Sequence, residues 1–151
     1  MTDASSDSVS AVNHVVAICK DAEEGFRGAA NAVKNASLRT IFEQYSSQRA
    51  QFAQQLRAVM KEAGSEPANP SGVAGTLHRG WIILKGVLTG HSDHQILIET
   101  ERGEDLSLSR YRDALAANPS SELKTVLERQ YAEVQQAHSR IRELRDRTAG
   151  D

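Results

Sequence analysis

Four long stretches of this chain place their apolar residues at steps of three and four, and Val, Ile and Thr nowhere alternate at period two. That spacing puts one apolar stripe on each of four helices and leaves no segment that reads as a strand. The first stripe is Val12, Val16, Cys19, Glu23, Phe26, Ala30 and Val33; the second is Leu38, Ile41 or Phe42, Tyr45, Gln48, Phe52, Leu56, Val59 and Ala63. The third is Leu97, Glu101, Glu104, Leu108, Tyr111 and Leu115; the fourth is Leu123, Leu127, Gln130, Val134, Ala137, Ile141 and Leu144. Each stripe must be buried against another, so the chain predicts an all-α protein, an antiparallel four-helix bundle.

Local signals set the expected boundaries. Residues 1–8 are polar and acidic and read as a frayed tail, followed by a single bundle domain over 9–148. The first helix, capped by Asp7 or Ser8, runs to about Lys34, and Ser37 caps a second that stops at Gly64. The break between them is short enough to make a helical hairpin. The segment Gly64–Gly72 is a loop rich in turn formers, and a short extra helix follows at about Val73–Leu88, giving the connection room to cross the bundle. Ser92 with Gln95 is a capping box for the third long helix, and Asn118 before Pro119 reads as the start of the fourth, which runs to about Arg147.

The net charge of −2 over 151 residues gives no reason to expect nucleic acid or an anionic membrane as partner. The longest apolar patch, Trp81–Leu88, contains Lys85 and is far short of the roughly 20 residues a membrane span needs. With no leader pattern and a single cysteine, Cys19, the expectation is a cytoplasmic protein in a reducing compartment. Cys19 reads as a buried apolar residue rather than a reactive thiol.

Function rests on the polar residues that interrupt the stripes: Glu23, Gln48 with Arg49 beside it, Glu101, Glu104 and Gln130. Each falls near the middle of its helix, so they are expected to meet at one level. A carboxylate in a core must be paired, hydrated, protonated or metal-bound, and Arg49, Arg102 and His138 are the candidates for the pairing charge. The simpler reading is a hydrogen-bonded network that fixes register, with no cofactor. The other is an iron or manganese site using Glu23, Glu101, Glu104 and His138, since carboxylate and imidazole suit those metals. A di-metal bundle needs Glu-x-x-His on two helices. Here Glu43-Gln-Tyr-Ser46, Glu128-Arg-Gln-Tyr131 and Glu133-Val-Gln-Gln136 all lack the histidine. His78, Arg79 and Trp81 form a further cluster with two readings: an interface for a second copy or another protein, or a tryptophan packing the short helix down.

The segments ICKDAEEGFRGAA, SQRAQFAQQL, GTLHRGWIILKGVLTG, ETERGEDLSLSRYRDAL and LERQYAEVQQAHSRIRELRD resemble, in order and over about Val9–Asp146, the bacterial domain-of-unknown-function 2383 family. That family is grouped with the ferritin-like four-helix bundles and has no established activity. The resemblance implies a ferritin-like bundle and, through that kinship, a metal-binding or oxidative-stress role, with Glu23, Glu101 and Glu104 as the positions that would carry the metal. The expectation drawn is a non-catalytic structural or interaction protein, with a degenerate ferroxidase-like metal site as its alternative.

Overall fold

The structure, a computed structural model, describes residues 6–65, 81 and 90–149. Among the described residues there are four helices: α1 (Ser6–Ala32), α2 (Ala36–Glu62), α3 (Asp93–Ala116) and α4 (Ser121–Arg147). α1 packs on α2 and α3, and α4 packs on α3 and more loosely on α2. The α1–α4 and α2–α3 pairs are therefore the diagonals. The expected short helix at Val73–Leu88 lies outside the described residues, apart from Trp81.

Helix directions follow from contacts at one end of the bundle. The Asp93 carboxylate, at the start of α3, accepts from the backbone N–H groups of Lys34 (2.8 Å) and Asn35 (3.0 Å) in the α1–α2 turn. Next to it, His94 Nδ1 lies 2.9 Å from Thr148 Oγ1 at the end of α4. So α3 starts where α1 and α4 finish, and every adjacent pair is antiparallel. The diagonal pair α2 and α3 run parallel. The chain between them must therefore travel the length of a 27-residue helix, roughly 40 Å, to begin α3 at the far end.

The helix ends correct three expectations. α1 starts at Ser6, with Ser8 buried in it, and stops at Ala32 rather than Lys34. Arg39 reaches back to the α1 terminus, donating to the carbonyls of Ala30 (3.3 Å) and Val33 (3.2 Å). The α2 cap is Asn35, whose Oδ1 accepts from Leu38 N at 3.0 Å, not Ser37. Asn118 sits at φ +58° in the connection and the α4 cap is Ser120, two residues later than the Asn-Pro pair suggests. The Ser92–Gln95 capping box forms as read, and Gly64 adopts φ +79° just past the Ala63 cap.

Two apolar clusters fill the interior. One, around Val12, Phe52, Leu56, Leu108, Leu123 and Leu127, lies toward the α1 start; the other, around Phe26, Phe42, Trp81, Ile96, Leu97 and Ile141, lies toward the α3 start. No helix among the described residues is long and apolar enough to cross a membrane.

Candidate functional site

Between the two apolar clusters lies a polar layer, and its centre is an ion pair. Arg49 on α2 and Glu104 on α3 are 1 % and 0 % exposed. The pairing is bidentate: Nη1 donates to Oε1 and Nη2 to Oε2, both at 2.5 Å. Because α2 and α3 are diagonal neighbours, the two side chains together span the bundle interior. Arg49 Nε donates to Gln48 Oε1 (3.1 Å), and the guanidinium carbon lies 5.3 Å from the centre of the Phe26 ring. Burial works against the arginine's charge, but the adjacent Glu104 carboxylate more than offsets it and raises the pKa above the ordinary value.

A second chain of hydrogen bonds runs beside this pair. Tyr111 donates its hydroxyl proton to Gln130 Oε1 at 2.8 Å. A phenol has one proton to give, so the contact of 3.3 Å between Tyr111 and Cys19 Sγ is the thiol donating to the phenol oxygen. Gln130 Nε2 then donates to Phe52 O (3.3 Å) and Gln55 Oε1 (3.0 Å), and Gln55 accepts from Arg129 at 3.2 Å. Burial pushes the Cys19 thiol up to about 11 and the Tyr111 phenol well above its usual value. Both groups are neutral at ordinary pH, and Cys19 has none of the thiolate character a nucleophile needs.

Glu101, one turn before Glu104, belongs to a different group. It accepts from Arg142 Nε at 3.2 Å and from Arg145 Nη1, and His138 Nε2 stands 3.8 Å away. His138 itself donates to Asp105 Oδ1 at 2.7 Å. These contacts zip the edge of the α3–α4 seam, where Asp105 and Arg142 are more than half exposed.

Glu23 does not reach the polar layer. It binds Lys20 (2.7 Å) and Arg27 (2.9 Å) on its own helix, and Ala22 takes the interior position instead. Gln48 likewise stands half out, on the rim of an open groove between α2 and α4 that also contains Gln44, Gln51, Gln55, Arg129 and Glu133, while Arg49 occupies the interior step. Gln130 is fully buried as expected. Of the three candidate counter-charges, Arg49 pairs with Glu104 and His138 stands near Glu101, but Arg102 pairs with Glu99 at 3.2 Å. The four residues of the suggested metal set thus divide among three surroundings. Among the described residues no three His, Cys, Asp or Glu side chains form a group able to hold a metal ion. Trp81 is fully buried against α1 and α3, which leaves its ring no surface to offer an interface; His78 and Arg79 lie outside the described residues.

Reading residue by residue missed Gln55, Asp93 and the polar use of Cys19 and Tyr111. Tyr111 carried a signal: a hydroxyl on a core stripe must find a partner. Gln55 and Asp93 carried none, since glutamine on a helix face and aspartate in a first turn are ordinary.

Among known protein families the chain matches a domain family. The model of a domain of unknown function (DUF2383) fits residues 7–117, taking in α1, α2 and α3 and ending before α4, short of the Val9–Asp146 span of the sequence resemblance. No curated protein matches the chain.

Proposed function

This chain belongs to the DUF2383 family, and on that premise we propose that it is a non-catalytic helical-bundle protein with a structural or interaction role. One observation carries the reading. Glu104, the fully buried carboxylate at the centre of the polar layer, has both oxygens taken by Arg49, so this position offers no open carboxylate to a ligand. The buried polar groups around it are partnered within the protein as well. Such a layer sets which helices face one another and at what height, a role buried polar groups fill in other bundles. Among the described residues α2 and α4 form the loosest of the helix pairs, and an open groove runs between them.

The alternative is a ferritin-like iron or manganese protein with a degenerate site. The single long crossover favours it, because that connectivity is the one ferritin-like bundles use. Metal content decides between the two. Protein purified without a histidine tag is assayed for metal, then loaded anaerobically with Fe(II) and exposed to oxygen. The expected outcome is no stoichiometric metal and Fe(II) oxidation at the buffer rate. Stoichiometric iron or manganese that disappears in Glu101→Ala would establish the metalloprotein instead.

A further inference from the structure

Trp81 is the largest fully buried side chain, and it comes from the connection between α2 and α3, not from a long helix. Two helices present glycine to it. A Cβ built on Gly25 of α1 would stand 2.2 Å from Trp81 Cε3, and one on Gly103 of α3 would stand 2.5 Å from Cε2. Carbon atoms in contact sit at about 3.5–4.0 Å, so the indole lies directly against both backbones. Neither position has room for a side chain. Glycine inside a helix costs stability relative to alanine, and close approach of another group is the usual compensation. Phe26 completes the enclosure, its ring edge-on to the indole with centroids 4.9 Å apart. The indole N–H is buried with no hydrogen-bond partner. Shape and dispersion, not polar recognition, therefore hold the ring.

We propose that Gly25, Gly103 and Phe26 form a binding socket for an uncharged, planar, bicyclic aromatic group, filled in this chain by its own Trp81. Filling the socket closes the α1–α3 seam at the level where both helices lack side chains. The unpartnered N–H sets the selectivity: a carbocyclic ring of the same shape avoids burying a donor and binds at least as well as indole.

The test is the full-length Trp81→Ala protein, titrated with indole and with indene, its near-isostere without the N–H. Calorimetric binding and the thermal unfolding midpoint are both followed. The expected result is saturable binding, indene no weaker than indole, and a midpoint raised by about 5 °C at about a hundredfold excess over Kd. The wild type, whose socket is occupied, and Trp81→Ala/Gly103→Ala, whose slot is blocked, bind neither. Absence of binding to folded Trp81→Ala, equal binding to the wild type, or a tenfold preference for indole over indene would overturn the proposal. Should Trp81→Ala fail to fold, Gly25→Ala and Gly103→Ala decide. Trp81 is the single tryptophan, so its fluorescence reports on the socket alone. Each glycine variant is expected to red-shift the emission and expose it to acrylamide quenching; unchanged spectra in both would sink the idea.

Discussion

Glu101 and Glu104 stand one helical turn apart on α3, and they live in different media. Glu104 points across the bundle to α2, has no exposed surface, and meets a single dry cation held in bidentate geometry. Glu101 points at α4 and is itself only 9 % exposed, but its partners Arg142 and Arg145 are 56 % and 30 % exposed. At the rim, water competes with each contact and the partners are interchangeable, so losing one costs little. In the interior nothing replaces the partner, so the pair behaves as one unit: costly to break, yet close to neutral to replace by apolar groups of similar volume. The number of cationic contacts is therefore a poor guide to which carboxylate matters more.

The largest expected effect is Arg49→Ala, which leaves Glu104 without a counter-charge. Urea denaturation should show a loss of about 3–5 kcal/mol, whereas the double variant Arg49→Met/Glu104→Leu should come within about 2 kcal/mol of the wild type or exceed it. If the single variant is as mild as a rim substitution, water reaches Glu104 and the contrast fails.

Cys19 tests the dryness of the same layer by titration. Its thiol, with an ordinary value of 9.0, is pushed up to about 11 by burial. The unfolded chain therefore releases the proton first as pH rises. Stability is intact below pH 9 and falls from there to about 11, by about 2–3 kcal/mol, before levelling. Tyr111 is shifted in the same direction and adds to the fall at the upper end. Unfolding midpoints between pH 8 and 11 should show this slope, and Cys19→Ala should reduce it without abolishing it. An unchanged slope in the variant would mean the thiol is solvated.

Smaller again is Tyr111→Phe, which removes the acceptor of the Cys19 thiol and the donor to Gln130. A loss of about 1–2 kcal/mol in chemical denaturation is expected. The smallest effect belongs to Glu101→Gln, with a midpoint shift of no more than about 3 °C that shrinks further as salt is added. A drop as large as that of Arg49→Ala would make the rim and the interior equivalent.

The errors in reading this chain share one geometry. On α1 the stripe can step from Cys19 to Glu23 or to Ala22 before reaching Phe26, and on α2 it can pass through Gln48 or through Arg49. Steps of three and four are both helical, but adjacent residues point about 100° apart. The molecule takes Ala22 and Arg49. Arginine is the less expected core residue of its pair, and only a carboxylate arriving from the diagonal helix makes it tolerable. The caps behaved similarly. Asn35 and Ser37, or Asn118 and Ser120, are near-equal candidates two residues apart, and small packing differences choose between them.

The sequence by itself determined the four long helices, which face of each is apolar, and that polar groups interrupt the apolar core at mid-height. Those follow from hydrophobic periodicity, which is local and repeated many times over in each helix. Only the tertiary structure decided that Glu104 belongs to Arg49, that Glu101 belongs to the α4 arginines, and that Gly25 and Gly103 exist for Trp81. Each of these joins residues that are distant in sequence and lie on different elements of the fold. Their partners are fixed by which helices lie side by side and which lie across the diagonal, and a one-dimensional pattern carries no record of that choice.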